Sequence, residues 1–237
     1  MKPLSSDTAS LTERVFEQIR AAIRSGELAP GSLHSVADIA NKLGVSRTPV
    51  REALLQFAAN GMVKFERSRG VRILELSIKD IEEIYSLRLL LEAPSAYRAA
   101  TRMSDRDRAE FKKTFAGMRK ATEAGDELLF QKHDLAFHET IVRAGGNDRV
   151  VTVVANTRGQ MHALGLSTTK TRTLGDILAV HEKIYDAVIA GNAEAAGEAV
   201  QDHLIGTLTM MAKQSLPPED AENYEPPVTR LKIVPDR

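Results

Sequence analysis

Asp134 and His138 stand four residues apart, a spacing that puts both side chains on one face of a helix. His181 recurs with Ile177, Ile184 and Val188, and His203 recurs with Ala196, Val200 and Met210. Each of these histidines lies on an apolar stripe, so three imidazoles and one carboxylate point inward from three different helices. Such a set suits a divalent Zn, Ni, Fe or Mn ion, and the residue types do not choose among the four. A lone inward histidine is most often a satisfied core residue, and spacing alone leaves both readings open. His34, His133 and His162 show no comparable stripe.

A second group is basic. Between Ser46 and Arg72 stand Arg47, Arg51, Lys64, Arg67, Arg69 and Arg72, opposed only by Glu52 and Glu66. Arg47 and Arg51 are one helical turn apart, hence on one face. A guanidinium there can donate two hydrogen bonds at once to guanine O6 and N7 in a major groove. Thr48 can add a phosphate or methyl contact. Arg67 and Arg69 beside Gly70 form a basic tip suited to a minor groove or to phosphates. The plain alternative is a set of solvated arginines on an ordinary helical domain. The order of the surrounding elements argues against it.

Those elements are legible from period and punctuation. Val15, Ile19, Ala22 and Ile23 mark a helix over 11–25, stopped at Gly26. A short helix over 36–43 ends at Gly44, and Ser46 caps a third that runs to about Asn60, with Pro49 in its first turn. Two β-type runs, 62–66 and 71–74, flank Arg67-Ser68-Arg69-Gly70 and read as a hairpin. Helix, helix, turn, basic helix and basic hairpin together make a winged helix-turn-helix. From Ser77 the period is helical throughout, with a capping box at Ser77–Asp80. Six helices are expected, near 78–102, 105–124, 127–144, 148–166, 174–190 and 193–213. Pro94 falls inside the first and predicts a kink. Five of the nine prolines lie after residue 215, which predicts a flexible tail. The expected organisation is a flexible N-terminus (1–10), a winged domain (11–76), an all-helical bundle (77–215) and a Pro-rich flexible tail (216–237). The fold class is mostly α.

Composition excludes several functions. Lys+Arg and Asp+Glu both number 32, so bulk charge cannot drive nucleic-acid binding. The charge is uneven instead: residues 1–76 carry 11 basic and 8 acidic side chains. With no cysteine there is no disulfide, thiolate metal site or Cys nucleophile, which fits a reducing compartment. No apolar run reaches the ~20 residues of a membrane span, so a cytoplasmic protein is expected. Trp is absent, and Tyr and Phe number only 4 and 7, which disfavours a base-stacking platform for single strands.

GVSRTPVREAL (44–54), preceded by SGELAPGSL and followed by NGMV and a SRGVRI wing, resembles the winged-helix domain of the GntR family of bacterial transcriptional regulators. The resemblance implies that Arg47, Arg51 and Gly70 contact double-stranded operator DNA. The family usually carries Ser-Glu and often an Arg before the second helix. Here the residues are Ser35-Val36-Ala37, so one phosphate contact is missing. IYSLRLLLEAPSAYRAA (84–100), DLAFHETIVRAGGN (134–147), His181 before KIYDAVIAGN, and AVQDHL (199–204) resemble the FadR-type C-terminal ligand-binding domain called FCD. In its metal-binding branch one Asp and three His hold a divalent ion, which implies Asp134, His138, His181 and His203. A matching arginine, here Arg88, faces the pocket and binds an effector carboxylate, with Glu92 placed to orient it.

The expectation is therefore a homodimeric repressor that binds an operator and responds to a small carboxylate, a sugar acid or another organic acid. Three neutral imidazoles and one carboxylate leave a divalent site with net positive charge. Arg88 adds to it, and a dry pocket with that surplus takes an anion. The alternative is a metalloenzyme-like helical domain fused to a DNA-binding module.

Overall fold

The computed structural model describes residues 10–164 and 166–233. The outermost parts of the two expected flexible ends, 1–9 and 234–237, lie outside the described residues, as does the side chain of His162. The chain divides into two compact units. One runs up to Leu76 and includes Gly159–Leu166, and the other comprises Ser77–Arg158 and the residues from Ser167 onward.

In the first unit, α1 (Leu11–Arg24) starts in a capping box between Ser10 and Glu13 and buries Val15, Ile19 and Ile23. β1 (Leu33–His34) precedes α2 (Val36–Leu43), which ends at Gly44 in the left-handed region. α3 (Arg47–Ala59) buries Pro49, Val50, Ala53, Leu54 and Phe57, and Phe57 stacks on Phe16 of α1 at 4.2 Å. Each of the large α3 side chains contributes about 1.5–3 kcal/mol by burial, which fixes how α3 is rolled on α1. Its other face is thereby left outward. β2 (Val63–Glu66) and β3 (Gly70–Ile73) form the hairpin, with Glu66 opposite Gly70 and Val63 opposite Ile73. β1 pairs with β3, giving the order β1-β3-β2. The two-residue β1 was not anticipated: it is too short to show an alternating pattern.

The second unit is helical. α4 (Ile78–Arg102) opens with the Ser77–Asp80 box and remains helical through Pro94. α5 (Asp105–Ala124), α6 (Glu127–Ala144), α7 (Asp148–Ala163), α8 (Leu174–Ile189) and α9 (Ala193–Ser215) follow, with a 3-10 turn at Thr168–Lys170. α7 ends three residues before the expected Leu166. Phe111 and Phe115 of α5, Phe137 of α6 and Tyr185 of α8 stack together, with centroids 4.2–6.0 Å apart. Phe137 then meets His138 and His181 edge-on, at 5.6 and 5.5 Å. The aromatic core is thus the wall against which two of the inward histidines rest.

Residues 216–233, within the expected flexible tail, carry local structure. α10 (Pro218–Glu222) forms there, and the Tyr224 hydroxyl donates to Glu82 on α4 at 2.8 Å. The buried amide of Gln201 on α9 accepts from Leu231 N–H at 2.7 Å and donates to Leu231 C=O at 3.2 Å. Prolines limit helix and sheet, yet they leave an extended strand free to pair with a side-chain amide.

Candidate functional site

The outward face of α3 begins with Arg47, Thr48 and Arg51, all exposed. Ser46 makes no side-chain cap bond, and Pro49 has no N–H. The other first-turn N–H groups are therefore open to an anion such as a phosphate. The acid on this helix, Glu52, accepts a hydrogen bond from Thr12 on α1. The Arg51 guanidinium lies 5.6 Å from the Phe65 ring centre, which links α3 to the wing.

At the wing, Arg67 is exposed and has no polar partner among the described residues. Arg69 pairs with Glu66 at 3.0 Å. Arg72 also bonds Glu66 and donates to Gly31 C=O at 2.6 Å, so it serves the sheet. Its hydrogen bond to Glu66, with the nearby charges, holds that carboxyl below its ordinary range. Gly70 has a structural reason to be glycine. Its φ is +124°, and a Cβ there would come within 2.2 Å of the His34 carbonyl oxygen.

In the helical unit His138 (α6), His181 (α8) and His203 (α9) converge, each offering a ring nitrogen within 4.8 Å of the others, and all three are buried. Asp134 joins them: its Oδ1 lies 2.7 Å from His181 Nε2 and 3.8 Å from His138 Nε2. The tautomers follow from the outer partners. His138 Nδ1 faces Glu92 Oε2 at 3.0 Å, and His181 Nδ1 faces the Ile177 carbonyl at 2.7 Å. Both partners are acceptors, so both Nδ1 atoms carry protons. His138 Nε2 is then a lone-pair acceptor, and it faces His181 Nε2 at 3.2 Å beside an Asp134 carboxylate oxygen. Acceptors crowded in this way repel unless a cation or an additional proton lies among them. Two imidazoles sharing an ion at about 2.0–2.1 Å stand about 3 Å apart, so the spacing fits. Among the described residues buried His203 Nδ1 has no hydrogen-bond partner, which leaves it able to ligate an ion. The donor set therefore fits a divalent transition ion.

Electrostatics supports that reading. Burial, then the Arg158 charge, pushes His138 down to about 4 against the pull of Glu92 and Asp134. Burial and the neighbouring imidazoles likewise hold His203 well below its ordinary value. Neutral imidazole is the ligating form. Burial works to raise Glu92, but Arg88, the His138 hydrogen bond and Arg158 outweigh it and keep the carboxyl well below its usual range. Burial also opposes ionisation of Asp134, and Arg158 and His181 overcome it.

Arg88 is buried. Its Nε donates to Glu92 Oε1 at 2.6 Å, and its guanidinium lies 4.7 Å from the Tyr85 ring centre. Residues 11–73 match the family described as bacterial regulatory proteins, gntR family, and residues 83–206 match the FCD domain. This chain belongs to the GntR family, with an FCD domain. Among relatives of this GntR regulator, a protein named "Probable D-xylose utilization operon transcriptional repressor" from Paenarthrobacter nicotinovorans is 29% identical over 203 residues. The match covers 86% of this chain and 89% of the relative. The gluconate operon transcriptional repressor of Bacillus subtilis (strain 168) is 33% identical over 167 residues, covering 69% and 67%. The solved structure of E. coli McbR/YncC shares the fold, with a TM-score of 0.72 at 19% identity over 88% of this chain and 100% of that one. The GntR regulator is thus a DNA-binding transcriptional regulator, and no described helix is long and apolar enough to cross a membrane.

One residue of the site, Arg158, escaped the sequence reading. Arg158 on α7 bonds Asp134 Oδ2 through Nη2, and its Nη1 lies 3.7 Å from Glu92. A signal existed: Val151, Val154, Arg158 and Met161 share one helical stripe, and a charged residue on an apolar stripe needs a buried partner. Glu92 was expected to orient Arg88, and it also orients His138. Its second role connects α4 to α6, a contact that no local spacing encodes.

Proposed function

We propose that this GntR regulator is a cytoplasmic, homodimeric repressor that binds a two-fold symmetric double-stranded operator and releases it when a small carboxylate binds. The winged domain (11–76) reads DNA through Arg47, Thr48 and Arg51 on α3 and through Arg67, Arg69 and Gly70 at the wing. The helical domain (77–215) holds a divalent ion on Asp134, His138, His181 and His203, with the effector between the ion and Arg88. A bound ion supplies positive charge at the floor of the pocket.

The observation that carries this reading is the ring of buried acceptor atoms flanked by two buried arginines. Arg88 and Arg158 cancel Glu92 and Asp134, so a divalent ion brings an uncompensated double charge into an apolar surround. An anion compensates it. A relative named for a gluconate operon favours a sugar acid or a similar organic acid. Leu87 and Leu90 expose 39% and 56% of their surface on one side of α4, an apolar stripe that a second copy would cover. Binding is favoured over turnover, because both carboxylates at the cluster are held ionised by arginines and are weak bases.

The test is metal analysis of untagged, never chelated protein, followed by a thermal-shift screen of small acids with and without chelator. About one transition ion per chain is expected, and an acid should stabilise only the loaded form, by about 2.7 kcal/mol at a hundred times its Kd. Protein without metal, or stabilisation that survives chelation, contradicts the reading.

A further inference from the structure

We propose that Arg158 and Gln131 select the ligand of this site. Arg158 Nε takes the carboxylate, and Gln131 Oε1 accepts a hydrogen bond from a hydroxyl farther along the same molecule. The site then takes polyhydroxylated acids in preference to plain alkanoic acids. This inference rests on the carboxylate pocket described above and assigns its selectivity to two side chains outside the expected set.

Among the described residues, three buried side-chain polar atoms lack a hydrogen-bond partner: Arg158 Nε, Gln131 Oε1 and His203 Nδ1. Leaving such an atom unpaired costs about 1–3 kcal/mol, so each marks a place where a partner belongs. His203 is a member of the metal set. The other two are a donor and an acceptor: Arg158 bonds Asp134, and Gln131 lies one helical turn before Asp134 on α6. Arg158 reaches Asp134 directly through Nη2, which leaves Nε over. Arg88, by contrast, has its Nε on Glu92.

Gln131 precedes Asp134 by three residues and His138 by seven, so it continues their face of α6 toward the helix N-terminus, about 4.5 Å along the axis from Asp134. Its amide cannot simply be turned to hide the oxygen. Nε2 donates to Glu127 Oε1 at 2.9 Å, and that oxygen also accepts from Thr169 Oγ1 at 2.8 Å. With the NH2 end committed, Oε1 is left as an acceptor and can be satisfied only by a donor. A carboxylate and metal ligands are all acceptors, so the part of the ligand that can match this atom is a hydroxyl on its body. A site built to bond a hydroxyl discriminates strongly against an analogue without one, because the buried acceptor is left unpaired.

Calorimetry on the metal-loaded full chain distinguishes the parts, with gluconate and hexanoate as probes of equal carbon number. The native protein should bind gluconate at least about tenfold more tightly than hexanoate. Gln131→Leu should remove that preference by weakening gluconate while hexanoate stays within about twofold. Arg158→Lys keeps a cation beside Asp134 but lacks Nε, so it should retain the metal and weaken both acids by at least about tenfold. Equal losses for the two acids in Gln131→Leu, or no loss, overturn the role of Gln131. Unchanged affinities in metal-loaded Arg158→Lys overturn that of Arg158. If Arg158→Lys loses its metal, Arg158 acts through Asp134 and its ligand role is overturned. If the native protein binds hexanoate as well as gluconate, the selectivity fails while the carboxylate pocket stands. If it binds neither, both fail.

Discussion

Arg47 and Arg51 are exposed on a helix whose buried face is made by other residues, so recognition and folding can be separated by substitution. Arg47→Ala or Arg51→Ala should cost about 1–3 kcal/mol of operator affinity per subunit with the melting temperature nearly unchanged. Arg69→Ala should weaken all duplexes alike and flatten the salt dependence. Fluorescence anisotropy on operator and scrambled duplexes at several salt concentrations checks both, and retained specificity in both helix variants would show that another surface reads the bases. The buried cluster makes a pH prediction. His138 lies at about 4 in the fold against an ordinary value near 6.5, so between those values the unfolded chain binds a proton that the folded one does not. Glu92 and Asp134, held low in the fold, act in the same direction at lower pH. Stability of chelated protein should be flat above about pH 6.5 and fall as the pH drops toward 4, as read by thermal melts. A melt that rises on acidification would contradict neutral buried imidazoles. The convergence of His138, His181 and His203 was legible from helical spacing, with Asp134 one turn before His138. Arg158 and the second contact of Glu92 were not, because they complete the site across helices distant in sequence.

The wing and the tail show how far local patterning reaches. The hairpin, the Ser77–Asp80 capping box and the glycine stop at Gly44 follow local rules, and the structure places them within a few residues of expectation. Gly70 sits at φ +124° against the His34 carbonyl, so Gly70→Ala should shift the β1–β3 pairing and destabilise the winged domain. Metal content in the helical unit should stay intact. Hydrogen exchange of the two units, with metal analysis, checks this, and uniform protection across both would contradict it. Residues 216–233 follow no local rule. Their placement depends on Gln201, Glu82 and Asp202 far back in the chain. Truncation after Ser215 leaves the buried Gln201 amide without its backbone partner, and should lower the melting temperature by about 5 °C. An unchanged melt would show that the tail adds nothing to the fold.

The whole regulator combines a basic reading head with a buried site that the residue types suit to a metal and an anion. A ligand can shift DNA binding only through a difference in its affinity for the DNA-competent and released forms, and the coupling must be reciprocal. The most direct measurement is a titration of operator, obtained by selection from random duplexes, with metal-loaded and chelated protein, each with and without saturating gluconate. The account predicts that gluconate weakens operator binding by the metal-loaded protein at least about tenfold, within the usual 1–3 kcal/mol of coupling, and leaves the chelated protein unaffected. Operator affinity that is the same with and without gluconate in the loaded protein, while calorimetry shows the acid bound, would contradict it.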